Sequence, residues 1–103
     1  MEYKKSIDTN NIAKLSASEQ DKIKVRGSLA ENLINNVDLQ TFVIDYKKTL
    51  YKELTAIQGY TNEHDAKRLA ITQQIVGIEG FVDYLAKQVD NKNKVVNLQG
   101  PTI

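Results

Sequence analysis

"NEHDAKRLAITQQIVGIEGFVDYLAKQVD", residues 62–90, carries the most regular apolar stripe in the chain. Within it Ile71, Ile75, Ile78, Val82, Leu85 and Val89 recur at steps of four, three, four, three and four. That spacing lays one apolar stripe along a helix and makes a heptad seam, the pattern that packs on a partner helix at a shallow angle. Phe81 and Tyr84 flank the seam, and with its six members they form the candidate interaction residues. Leu69 and Ala86 lie beside it. Gly77 and Gly80, in "VGIEGF", lack the strand and turn of a phosphate-binding loop. They read as a smooth helical patch that lets another backbone approach closely.

The start of this helix holds the chain's only histidine, His64, between Glu63 and Asp65. Successive side chains on a helix diverge by about 100°, so three consecutive residues do not converge on one ion. At the spacing of three or four that a metal pair needs, His64 finds only Lys67 and Arg68. The acids instead suit the positive end of the helix dipole. Glu63–Lys67 and Asp65–Arg68 are expected as ion pairs one turn apart. The triplet reads as a helix start, with no catalytic, cofactor or metal residue assigned.

Outward from there, "VDLQTFVIDYKKTLYKELTAIQG" (37–59) carries Leu39, Val43, Tyr46, Leu50, Leu54 and Ile57 along one helical face. Asp38 is the expected N-cap, and Val37 with Phe42 a hydrophobic staple. Gly59 sits where a glycine in the left-handed conformation would close the helix. The connection to residue 61 is short. The fold class expected is therefore all-α: an antiparallel helical hairpin of residues 39–58 and 62–90. At about 1.5 Å per residue the second helix, near 42 Å, outruns the first, near 30 Å. Something else must cover the excess.

A shorter helix over residues 19–36 precedes the hairpin. Ser18 would cap it, with Asp21 completing a capping box, and Ile23, Ala30, Leu33 and Val37 would line one face. Gly27 weakens it. Lys22, Lys24 and Arg26 could touch phosphates, but Glu19, Asp21 and Glu31 beside them favour a solvated face. Phe42 and Tyr46 read as core or interface rather than a base-stacking platform. Residues 1–17 read as an extended arm with Tyr3, Ile7 and Ile12 as its apolar points. Residues 18–91 make one helical domain. Residues 92–103 read as an extended tail, with Val95, Val96, Leu98 and Ile103 as anchors and Gly100-Pro101 as its stop.

The 103 residues suit one small domain, which buries a modest share of its surface. The net charge of +1 is spread evenly, six basic against five acidic groups to residue 36 and eight of each beyond, so no basic domain asks for nucleic acid. With no cysteine there is no disulfide, thiolate metal site or cysteine nucleophile. "MEYKKSIDTNN" lacks the apolar run of a signal peptide, and no segment nears the roughly 20 apolar residues of a membrane span. The expectation is a protein intracellular when made, without membrane, small-molecule substrate or cofactor.

From Leu33 to Val89 the layout resembles small helical-hairpin proteins from the structural-gene modules of tailed phages. The matching segments are "LINNVDLQTFVIDYKKTLYKEL", "TNEHDAKR" and "LAITQQIVGIEGFVDYLAKQ", with Thr61, Asp65 and Arg68 at the turn's spacing of four and three. The resemblance implies a virion-associated or assembly-associated protein without catalysis, made in the host cytoplasm and partnered by itself or by larger virion proteins. It carries over no functional residues. A small phage-encoded inhibitor or regulator of a host protein is the alternative, and a helical nucleic-acid-binding module stands third.

Overall fold

The computed structural model describes residues 8–100. Of these, 87% are helical and none lies in a strand, so the chain is all-α. Four helices follow in order: α1 (Thr9–Ala13), α2 (Ala17–Ile34), α3 (Val37–Ala56) and α4 (Asn62–Gln99). The expected anchors Tyr3, Ile7 and Ile103 and the stop at Pro101 fall outside the described residues.

Both chain ends differ from the extended segments expected of them. Asp8 caps α1 by accepting from the Asn10 backbone N–H at 3.1 Å. Ile12 on that short helix is 0% exposed. The Gln20 side-chain amide donates to the carbonyls of Ile12 (3.3 Å) and Leu15 (3.2 Å), tying the end of α1 to α2. At the other end α4 does not stop at residue 90 but runs through "DNKNK" to Gln99. Ion pairs one turn apart, Asp83–Lys87 (2.7 Å) and Asp90–Lys94 (3.1 Å), support this polar stretch as helix. Val95, 0% exposed, anchors it. The helix closes at Gly100, whose φ of +73° is the left-handed conformation that glycine adopts without strain. Its N–H donates to the Asn97 carbonyl at 3.3 Å.

The helix starts also correct the expected caps. α2 begins at Ala17 with Ser16 as N-cap, two residues before the expected boundary. Ser16 Oγ accepts from the Glu19 N–H at 3.2 Å, and Glu19 Oε2 accepts from the Ser16 N–H at 3.3 Å. This is a full capping box, and the longer Glu19 side chain reaches back where Asp21 was expected to serve. α3 begins at Val37, two residues early, so Asp38 lies in its first turn rather than capping it. The Val37–Phe42 staple does not form, and the two residues stay 70% and 71% exposed. With both inside the helix and five residues apart, their side chains point about 140° away from each other.

The chain divides into two compact units, one holding the residues up to Asn36 and from Val82 onward, the other Val37–Phe81. In the first, α2 packs on the later part of α4 through Gly27. A Cβ there would overlap Lys92 Cβ and lie 2.8 Å from the Gln88 carbonyl oxygen. Gly27, read as a weak point in the helix, is therefore the point of closest approach. Glu31 pairs with Lys92 at 2.7 Å, while Lys24 donates to Gln99 Oε1 at 2.9 Å. Rising numbers on α2 meet falling numbers on α4, so the two segments run in opposite directions. Ile12, Ala30, Leu85 and Val95 are the buried apolar residues of this unit, joined by Gln88 and Asn91.

In the second unit Leu50 and Ile75 are the buried large side chains. Leu39, Val43, Leu54, Ile57, Ile71 and Ile78 are half-buried, so the two apolar stripes face inward. Tyr46, expected among them, is exposed. Lys47 reaches Glu79 at 3.4 Å, and the Tyr51 hydroxyl approaches the same carboxylate at 3.5 Å. Arg68 organises the connection between α3 and α4. Its guanidinium donates to the carbonyls of Ile57 (3.4 Å) and Gly59, pairs with Asp65 at 2.9 Å, and lies 5.0 Å from the Tyr60 ring centroid. Gly59 does not adopt a positive φ, contrary to its expected role as a left-handed cap. The His64 ring lies against it, and a Cβ would overlap that ring.

Candidate interaction surface

The eight seam and flanking residues of α4 divide between the units and differ in burial. Ile75 and Leu85 are buried, and Ile71, Ile78, Tyr84 and Val89 are half-buried. Phe81 and Val82 are exposed. From Val82 onward burial leaves the frame of the seam: Leu85, Gln88, Asn91 and Val95 are buried at steps of three, three and four. The polar identity of Gln88 and Asn91 conceals this second frame from a reading of apolar periodicity. Gln88 is notable chemically, because its buried Nε2 donates to no acceptor among the described residues. Leaving such a group unpaired costs about 1–3 kcal/mol.

The helix-start triplet is arranged as the spacing predicted. Glu63–Lys67 forms at 3.7 Å and Asp65–Arg68 at 2.9 Å. Thr61 caps α4, its Oγ1 accepting from the His64 N–H at 3.3 Å, and lies 2.6 Å from His64 Nδ1. The imidazole is thus held by the cap hydroxyl and by Gly59, which fixes the turn. Among the described residues no group of three or more His, Cys, Asp or Glu side chains is placed to hold a metal ion.

What the structure leaves unmatched is apolar surface on helix faces. On α3, Phe42 and Tyr46 stand exposed one turn apart, and Ile44 and Tyr51 two turns apart. Leu69 and Val76 do the same on α4. On α2, Val25, Leu29 and Leu33 are exposed at successive steps of four. Phe42–Tyr46 and Val25–Leu29–Leu33, at steps of four, are surface neighbours and make apolar strips, whereas the pairs seven apart share a face with polar residues between them. This corrects the expected α2 face. Ile23 and Ala30 turn inward as anticipated, but Leu33 is exposed, and Val37 belongs to α3.

The α2 strip is legible in the sequence: Val25 and Leu29 sit at a separation of four inside "KVRGSLAEN", opposite the inward positions. A shallow hollow of about 650 Å³ runs along this face, lined by Ser18, Asp21, Lys22, Val25, Arg26 and Leu29. Lys22 and Arg26 have no ionic or hydrogen-bonding partner among the described residues, whereas Lys24 is held by Gln99 and Glu31 by Lys92. No described helix is long and apolar enough to cross a membrane. Comparison with protein-family models, with curated proteins and with solved structures gives no match.

Proposed function

We propose that this chain is a non-enzymatic structural or assembly protein, associated with a phage virion, whose amphipathic helices pack into an oligomer or onto a larger complex. In this reading α3 and the first part of α4 form an antiparallel helical hairpin that presents its outer strips to neighbours. One observation carries the proposal: among the described residues each unit buries few large apolar side chains and leaves helix faces such as Phe42–Tyr46 and Val25–Leu29–Leu33 exposed. Fully burying one such side chain contributes about 1.5–3 kcal/mol. Covering two or three faces would therefore contribute as much as the whole stability of a small domain. Domains this small bury a modest share of their surface and are only marginally stable alone. The phage assignment rests on the resemblance of Leu33–Val89 to structural-module proteins.

Light scattering on the purified full chain across a dilution series tests the reading. The expected mass is a multiple of 11.6 kDa that falls on dilution. A chain that stays at 11.6 kDa, and that gains mass with no particle or coat fraction from its source, would overturn it.

A further inference from the structure

We propose that the outward face of α2 is a self-association seam, and that its occupant is the same face of a second copy, parallel and in register, with Asp21 of each chain paired to Arg26 of the other. The inference rests on the assembly reading above and names a surface for it. Ser18, Lys22, Val25, Leu29 and Asn32 follow at steps of four, three, four and three, the a and d positions of a heptad. Val25 and Leu29, at the centre of this run, are 62% and 61% exposed. Gly27, the contact with α4, occupies the f position, on the far side of the helix from the seam. A second α2 can therefore lie on the seam without disturbing the packing inside the unit.

Charge selects the occupant and its direction. In this register Asp21 is a g residue and Arg26 the following e residue, the pair that meets across a parallel two-stranded interface. Within one chain they stand five residues apart, about 140° around the helix, and neither has a partner among the described residues. An antiparallel arrangement would call on Glu19, the other acid flanking the seam, whose carboxylate is engaged with the Ser16 N–H. Lys22 at an a position and Asn32 at a d position weaken the seam, and a single polar a residue is a known means of fixing register and strand number. The product is a reversible pairing suited to an assembly step.

The chain contains no cysteine, so single introduced thiols report the geometry. Val25→Cys and Leu29→Cys, made separately in the full-length protein, should each oxidise to a covalent dimer in near-quantitative yield. Only a parallel, in-register pairing brings both positions to their own copies. Asp21→Arg and Arg26→Asp should each weaken self-association roughly tenfold, and the double swap should restore it, because two cross-chain pairs change from attraction to repulsion and back. Circular dichroism of each variant confirms that it still folds. Cross-linking at only one position, absence of rescue by the double swap, or a seam protected from alkylation of the introduced thiol in a monomer would each overturn the proposal. The last would assign the face to another segment of the same chain. If the oligomer persists unchanged in every α2 variant, this seam is refuted while the assembly reading stands. A wild-type chain that never associates removes both.

Discussion

Gly27 and Lys92 approach so closely that the glycine has no room for a side chain, and the Glu31–Lys92 ion pair at 2.7 Å closes the same contact one turn further along α2. The obstructing atoms are Lys92 Cβ and a backbone oxygen, neither of which swings aside. Gly27→Ala should therefore push α2 from α4 and destabilise the protein by about 1–3 kcal/mol, despite alanine's better helix propensity. Gly77 is the control. Nothing lies within 4 Å of a Cβ there, so Gly77→Ala should stabilise by about 0.5–1 kcal/mol. Urea unfolding followed by circular dichroism reads both, and equal effects of one sign would remove the close-packing account.

The interior of the same unit holds an amide with no acceptor among the described residues. Gln88→Leu replaces the buried, unpaired Nε2 with an apolar group of similar size and should be neutral or stabilising, by up to about 3 kcal/mol. A clear loss of stability on urea titration would mean that the amide is paired in solution.

His64 and Gly59 should behave as a coupled pair. Gly59→Ala displaces the imidazole from Thr61, costing about one hydrogen bond, 0.5–1.5 kcal/mol. In a His64→Ala background that cost should vanish, since no ring remains to displace. A double-mutant cycle measures the coupling, and additive effects would contradict the packing described. Zinc should leave the melting temperature of the wild type unshifted, and a rise of several degrees would restore a metal role for His64.

The ends should be integral to the fold over the described residues. Ile12 is 0% exposed, so Ile12→Ala should cost about 2–5 kcal/mol. Removing residues 95–103, and Val95 with them, should destabilise the first unit. Limited proteolysis read by mass spectrometry should spare residues 9–99 in the free protein. Early cleavage within α1, or after Lys92 or Lys94, would return those segments to the status of arms.

The elements that the sequence disclosed are those whose contacts are apolar and evenly spaced. The stripes from Leu39 to Ile57, Tyr46 apart, and from Ile71 to Ile78 turn inward, and the ion pairs of Glu63 and Asp65 follow from helical spacing alone. The end of α4 was concealed because its buried positions, Gln88 and Asn91, are polar and interrupt the hydrophobic pattern. α1 is too short for any period to show, and its burial depends on Ile12, a single residue. Gly27 and Gly59 serve close approaches made by residues five or more positions away, which no local propensity records. The outward seam of α2 was legible in spacing, but Ile23 and Ala30 define a competing face on the same helix.

On the proposed reading, protein covers these apolar faces in an assembly. Velocity sedimentation of a native extract from cells producing the chain, with its position followed by immunoblot or mass spectrometry, decides whether it does. The chain should travel with a large particle or precursor in fixed, repeated stoichiometry. Recovery as a free 11.6 kDa chain, or in a low-copy complex with a single host protein, would contradict it.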